Sequence, residues 1–176
     1  MRARLRRTHG DCDDRNVAAD LLKGALAGAT ATWLMTQATT WLYEQESEDT
    51  KQRENQARGG RTAYESAAER AASVAGVHLS EEQRSHAGTA IHWTTGIAAG
   101  AVYGVLRKRW PATAAAKGLA FGAGFFLIVD ELLNPVLGLT PGPEAFPWQT
   151  HARGLGGHLA FAATTELVLE GLESVA

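Results

Sequence analysis

The stretch AGTAIHWTTGIAAGAVYGVL, residues 87–106, decides the fold because it runs for 20 residues without a charged side chain. A helix rises about 1.5 Å per residue, so such a stretch can cross a hydrocarbon core of roughly 30 Å. Interior glycines weaken a soluble helix, whereas in membranes small residues four apart let helix backbones approach closely. One stripe of this helix has that spacing and consists of Gly88, His92, Gly96, Gly100 and Gly104.

Three further segments have the length of a membrane span. Residues 24–43 carry no Asp, Glu, Lys or Arg, and residues 118–138 and 152–172 are apolar stretches interrupted by acidic residues. We therefore predict an all-α fold, a four-helix transmembrane bundle. After a basic cytoplasmic segment at 1–17, a single membrane domain covers 18–172, with helices over roughly 18–43, 82–107, 115–135 and 149–172.

The connections between these helices carry the turn and capping signals. Residues 44–81 form a hydrophilic loop in which the stretch RTAYESAAERAASVAGVHL, residues 61–79, has the spacing of a short amphipathic helix. Ser80 with Gln83 is a capping-box pattern ahead of the second span. Pro135 is expected to bend or end the third span because it has no N–H and its ring clashes with the carbonyl of Glu131.

Basic residues indicate the orientation. They are concentrated in the N-terminal segment and in residues 107–117, whereas residues 136–150 contain none. Residues 44–84 contain more acidic than basic side chains. The positive-inside rule then places both termini in the cytoplasm and the 44–81 loop outside.

Small residues predict where the helices touch. Glycines recur at spacings of about four along all four predicted spans. Lipid tails are as apolar as Leu, so close backbone contact rather than burial alone must hold such helices together. The predicted packing positions are Gly24, Gly28, Gly88, Gly96, Gly100, Gly104, Gly118, Gly122 and Gly157.

Polar side chains from all four spans are predicted to form one cluster. Counted from the outer ends of the helices, most of them lie about 9–12 Å deep, while Glu166 lies deeper and to one side. Ionised carboxylates facing lipid are unfavourable, so these groups should face the bundle interior. The predicted cluster consists of Gln37, His92, Asp130, Glu131, His158 and Glu166.

The two adjacent carboxylates should differ in their surroundings. Asp130 and Glu131 are about 100° apart around a helix and cannot share one contact. We expect one of them to pair with His92 or His158, and the other to be protonated or to reach a cavity opened by the bend at Pro135.

Composition excludes several function classes. The net charge is −2 and no basic patch is interleaved with aromatic residues, so we expect no nucleic-acid partner. Cys12 is the only cysteine, so no intramolecular disulfide can form. There is no G-x-S-x-G motif, no catalytic residue is indicated, and we expect no cofactor. His92 and His158 are the only candidates for a metal or haem.

The segment GLTPGPEAFPWQTHARGLGGHLAFAATTEL, residues 138–167, resembles the closing segment of the YagU-like proteins, a family of small bacterial inner-membrane proteins of unassigned activity. The His-Trp pair of the second helix is similar as well. The resemblance implies a multi-pass protein of the bacterial inner membrane and no particular catalytic residues. It marks Pro141, Pro147, Trp148, Gly157, His158 and Glu166 as positions of the family motif.

Three functions remain open at this point. The leading hypothesis is a proton- or ion-responsive membrane protein, a transport component or an envelope stress factor that uses the His and carboxylate cluster. A single chain with four short spans is not expected to form a pore, so transport would require a homo-oligomer. The alternatives are a structural or partner-binding protein packed through its glycine stripes, and a metal- or haem-binding protein. The substrate and the protein partners are not specified by the sequence.

Overall fold

Four long helices form the molecule. The computed structural model describes residues 9–174, with side chains from residue 17 onward; residues 1–8 of the predicted basic segment lie outside the described part. No strand occurs among the described residues, so the all-α prediction is confirmed. The long helices are α1 (His9–Glu44), α4 (Glu81–Arg109), the helix Leu119–Val136 and α7 (Trp148–Ser174).

The helix Leu119–Val136 is not uniform. It consists of α5 (Leu119–Phe126), a π-helical segment (Leu127–Leu133) and a last turn, α6 (Asn134–Val136). In the π segment the N–H of Asn134 donates to the carbonyl of Val129, five residues back. The helix ends just after Pro135, as expected from the proline, but the sequence did not predict the wider turn that carries both carboxylates.

The loop between α1 and α4 contains two helices rather than one. The amphipathic stretch forms α3 (Ala63–Val74), and both it and α4 begin with a capping box, the second one the predicted pair of Ser80 and Gln83. The helix α2 (Glu48–Arg58) was not predicted. It has no apolar stripe, and ion pairs within the helix, such as Arg53 with Asp49, support it instead.

Close backbone contacts join the long helices. α1 packs against α4 and α7, and α5 packs against α7. A Cβ built on Gly28 would lie 2.6 Å from the carbonyl oxygen of Gly96, and one built on Gly122 would lie 2.6 Å from that of His158. The α1–α4 contact involves Gly24, Gly28, Gly96, Gly100 and Gly104.

The other predicted packing glycines have different neighbours. Gly157 faces Met35 and Thr39 of α1, and Gly118 has a left-handed backbone (φ 82°) beside the hydroxyl of Tyr103. Gly88 faces Glu65 of α3, a helix outside the four-helix bundle.

Many large apolar side chains are exposed, unlike in a water-soluble bundle. The interior contains small and polar residues, such as Ala27 and Thr165, together with the large side chains of Tyr103, Phe161 and Leu169. Large apolar side chains point outward and are exposed, among them Leu22, Leu26, Trp33, Trp41, Val102, Leu127, Ile128, Leu132, Val136 and Leu167.

One of the described helices is long and apolar enough, by length and composition, to cross a membrane. This helix is Leu119–Val136, with a mean hydropathy of 1.5. α1, α4 and α7 have the length but not that hydropathy, because Gly, Ala and Thr occupy many of their positions. The prediction of an all-α protein is therefore confirmed, with one candidate membrane span among the described residues.

Candidate functional site

A cavity of about 420 Å³ opens at the end of the bundle that carries α2 and α3. Residues of α1, α4, the π segment and α7 form its walls, and α2, α3 and the connection before α7 border it. Four predicted cluster residues from three different helices line this cavity: His92, Asp130, Glu131 and His158. The volume falls within the range of about 300–1,000 Å³ found for small-molecule sites.

His151 joins Glu131 to the connection between the last two long helices. Its Nδ1 lies 2.6 Å from Oε1 of Glu131, and its Nε2 lies 3.1 Å from the carbonyl oxygen of Pro143. A carbonyl oxygen can only accept, so Nε2 must carry a proton. The contact to Glu131 then requires a second proton, on Nδ1 or on the carboxyl group. Together the two contacts therefore need one proton more than a neutral imidazole beside an ionised carboxylate provides.

Asp130 and His158 form a looser pair. Nδ1 of His158 donates to the carbonyl oxygen of Gly154 at 2.9 Å and lies 3.8 Å from Oδ2 of Asp130. Phe125 and Phe126 pack against the imidazole ring. Among the described residues Asp130 has no hydrogen-bond partner, so its carboxylate has free acceptor capacity beside the cavity.

His92 is anchored from α1 and leaves one nitrogen without a partner. The hydroxyl of Thr36 donates to the carbonyl of Thr32 at 2.9 Å, so its oxygen accepts from Nε2 of His92 at 3.2 Å. In the neutral ring Nδ1 is then the unprotonated nitrogen, and it is buried without a hydrogen-bond partner among the described residues. The ring also packs edge-on against Tyr64. Burial raises the pKa of Tyr64 to about 12, so the phenol stays uncharged at neutral pH.

Arg153 and Glu54 connect α7 to α2 at the mouth of the cavity. Glu54 is 2% exposed, and Nη2 of Arg153 lies 2.6 Å from both of its carboxylate oxygens. Arg153 also donates to Glu46 and lies over the ring of Tyr43, 4.9 Å from its centroid. Arg58 adds a second cation to Glu54 at 2.5 Å.

This network shifts the titration of Glu54. Burial by itself would raise the pKa of Glu54, but hydrogen bonds from Arg153 and the charge of Arg58 outweigh it. The pKa is therefore held below its ordinary value of 4.5. A carboxylate with a lowered folded-state pKa stabilises the fold above its unfolded-state pKa, and this stabilisation is lost as the pH falls through the folded-state value.

We expect Glu54→Gln to lower the free energy of unfolding at pH 7 by about 1.5–3 kcal/mol, because it removes charge-assisted hydrogen bonds. The difference from the wild type should shrink as the pH falls below about 4.5. Thermal unfolding of the detergent-purified protein at pH 7 and pH 3 measures it. Glu48→Gln, which alters an ion pair of the same helix with an exposed carboxylate, is the control. An equal difference at both pH values would contradict the prediction.

Two predicted cluster residues do not join this cavity. Gln37 is exposed, because Met35 and Thr39 face the cavity and a residue two positions away lies about 200° around the helix. Its predicted place in the buried layer is wrong. Glu166 is buried (4% exposed), but near the opposite end of the bundle.

Glu166 belongs to a second network. It accepts hydrogen bonds from the hydroxyl of Tyr103 at 2.6 Å and from Arg107 at 2.8 Å. Arg107 also binds Glu173, which in turn pairs with Lys108. Every charged group in this network has a partner, so the network offers no free charge.

The sequence did not predict that Glu54, Tyr64 and Arg153 belong to the site. It also did not predict that His151 pairs with Glu131. His151 had a signal, since it lies seven residues before His158 and so shares a face of α7. Arg153 had one too, as the only basic residue near the outer end of that helix. Glu54 had none, because nothing local connects it to a residue about a hundred positions away.

The cavity does not resemble a metal centre. No group of three or more His, Cys, Asp or Glu side chains among the described residues is arranged to hold a metal ion. His92 and His158 both line the cavity, but each directs one ring nitrogen to a hydroxyl or carbonyl of the protein.

Fold and site together define a class: a helical bundle with a titratable cavity at one end and an ion-paired network near the other. Residues 67–167, more than half of the chain, match a family described as protein of unknown function (DUF1440), and the protein belongs to this family. The matched region contains His92, Asp130, Glu131, His151 and His158 but neither α1 nor α2. Comparisons with curated proteins and with solved structures found no match.

Proposed function

We propose that this DUF1440 protein is a YagU-like, multi-pass protein of the bacterial inner membrane. In this proposal the four long helices span the bilayer, both termini lie in the cytoplasm, and the cavity opens outward and responds to protons. The observation that carries the proton response is the pair of contacts made by His151, which requires an extra proton shared with Glu131.

The exposure of the helices supports the membrane location. Only 11% of the Leu119–Val136 window is buried, whereas the core helix of a soluble protein with that hydropathy would be mostly buried. Large apolar side chains of α1, α4 and α7 are exposed in the same way, including Leu26, Val102 and Leu167. Lipid contact accounts for the exposure of these apolar side chains, and small residues between the helices account for their packing.

The proton response follows from the number of protons that the two hydrogen bonds of His151 need. While the proton is present, His151 holds the π segment and the 137–147 connection together. Without this proton one of the two contacts has no donor, and the connection loosens. The other titratable and charged groups that line the same cavity are Tyr43, Glu54, Arg58, Tyr64, His92, Asp130, Arg153 and His158.

Hydrogen exchange of the 137–147 connection tests this proposal. The amides of Ala145 and Phe146 donate to carbonyls within the connection, and the Pro143 carbonyl that His151 holds is one of them. After correction for intrinsic rates, we expect roughly tenfold more protection at pH 5.5 than at pH 8, a change of about 1.4 kcal/mol. Equal protection at both values would contradict the proton response.

Two variants should lock opposite states. In Glu131→Gln the amide can donate to Nδ1 while Nε2–H still donates to Pro143, so both contacts survive without the extra proton and protection stays high at both pH values. In His151→Ala both contacts are lost and protection stays low. His78→Ala, at an exposed histidine of the α3–α4 connection, is the matched control and should keep the wild-type pH dependence.

A further inference from the structure

The charges around the cavity balance except at one residue. Glu54 and Glu46 neutralise Arg153 and Arg58, and His151 shares a proton with Glu131. Lys51, which lies over the ring of Tyr43, is neutralised by Glu48. His158 lies 3.8 Å from Asp130, but its Nδ1 proton is directed to the carbonyl of Gly154. Asp130 is therefore the one carboxylate lining the cavity that has no compensating charge within hydrogen-bond distance among the described residues.

The cavity also has a free acceptor and apolar walls. Among the described residues that line it, the carboxylate of Asp130 has no hydrogen-bond partner. Phe126, Phe146 and Tyr64 line the same space. Aromatic faces attract cations, as the stacking of Arg153 on Tyr43 already shows at the mouth. An unbonded carboxylate together with aromatic walls favours a ligand that donates hydrogen bonds and carries positive charge.

We propose that the cavity binds a small organic monocation, with its ammonium group on Asp130 and its apolar body against Phe126 and Phe146. A single uncompensated carboxylate matches a single positive charge. The volume of about 420 Å³ exceeds the needs of a monatomic ion, and no set of three metal-ligating side chains is present among the described residues. The inference uses the same cavity as the proposed function but does not require the proton response.

Isothermal titration of the detergent-purified full chain at pH 7.5 tests the proposal with benzylamine as the probe. Benzyl alcohol has the same body without the charge, and titration into empty micelles provides the blank. We expect benzylamine to bind at one site per chain and benzyl alcohol to bind roughly tenfold more weakly or not at all. Asp130→Asn should weaken benzylamine binding by about tenfold or more, whereas Glu170→Gln, a carboxylate near the opposite end, should leave it unchanged.

Several results would overturn the proposal. These are no heat from benzylamine above the blank, equal binding of benzyl alcohol, unchanged binding in Asp130→Asn, or displacement of benzylamine by an equal concentration of sodium chloride. If Asp130→Asn does not fold, Phe146→Ala tests the apolar wall and should weaken benzylamine binding severalfold. If benzylamine does not bind but hydrogen exchange of the 137–147 connection depends on pH as expected, only the proposed ligand site is overturned. If benzylamine binds but hydrogen exchange does not depend on pH, only the proposed proton response is overturned.

Discussion

Gly100→Ala should prevent α1 and α4 from packing, although it adds a single methyl group. A Cβ at this position would lie 2.5 Å from the carbonyl oxygen of Gly24 and 2.7 Å from the backbone nitrogen of Gly28. These neighbours are backbone atoms, so no side-chain rotation can relieve the overlap and the helices must separate. We expect the free energy of unfolding to fall by about 3 kcal/mol or more, which is the upper range for overpacked interiors. Thermal unfolding and size-exclusion chromatography of the detergent-purified protein measure this effect.

The control for this prediction is the same substitution at Gly124. This glycine lies in α5, and a Cβ there would meet nothing within 4 Å. Alanine has a higher helix propensity than glycine, so Gly124→Ala should be neutral or stabilise the protein by up to about 1 kcal/mol. If Gly100→Ala lowers the free energy of unfolding and Gly124→Ala does not, the loss is due to the α1–α4 contact. A stable Gly100→Ala protein would show that the two backbones are not in contact.

Arg107→Met should have the second large effect. It leaves Glu166 buried with the hydroxyl of Tyr103 as its remaining partner, while Glu173 keeps Lys108. Breaking a buried ion pair by removing one partner costs about 3–5 kcal/mol, because the other charge remains unpaired in a poorly solvated site. We therefore expect a loss of about this size in thermal or denaturant unfolding of the purified protein.

A double variant separates the unpaired charge from lost packing. In Arg107→Met/Glu166→Gln the neutral amide can still bind Tyr103, so most of the lost stability should return. Lys117→Met is the control, because it breaks an ion pair with Glu170 that is exposed to solvent, and such pairs contribute little to stability. A double variant no more stable than Arg107→Met would show that the charge is not the cause.

Much of the architecture follows from local sequence. The spacing of glycines places α1, α4 and α7, and long uncharged stretches support α1 and α4. Capping residues such as Ser80 place helix ends, because hydrogen bonding within a helix connects residues only three or four positions apart. The helix α2 escaped prediction because its side chains are nearly all polar, and its position depends on Arg153 of α7. The prediction from Pro135 concerned the end of a helix and did not extend to the π turn before it.

The sequence predicted only part of the membership of the candidate site and none of its pairings. Helical periodicity and depth indicated that His92, Asp130, Glu131 and His158 would lie near one level, and all four line the cavity. The same counting included Gln37, which is exposed, because depth along a helix says nothing about the rotation of that helix about its axis. Packing against neighbouring helices sets that rotation.

By itself the sequence determined that the chain is helical, roughly where its long helices run, and which polar residues lie at similar depth. Only the tertiary structure decided that Glu131 pairs with His151, that Glu54 meets Arg153, and that Glu166 joins Arg107 near the far end. The physical reason is the range of the interactions. Helix formation depends on neighbours within one or two turns, whereas these pairs join residues 20, 99 and 59 positions apart, which only the packing of whole helices brings together.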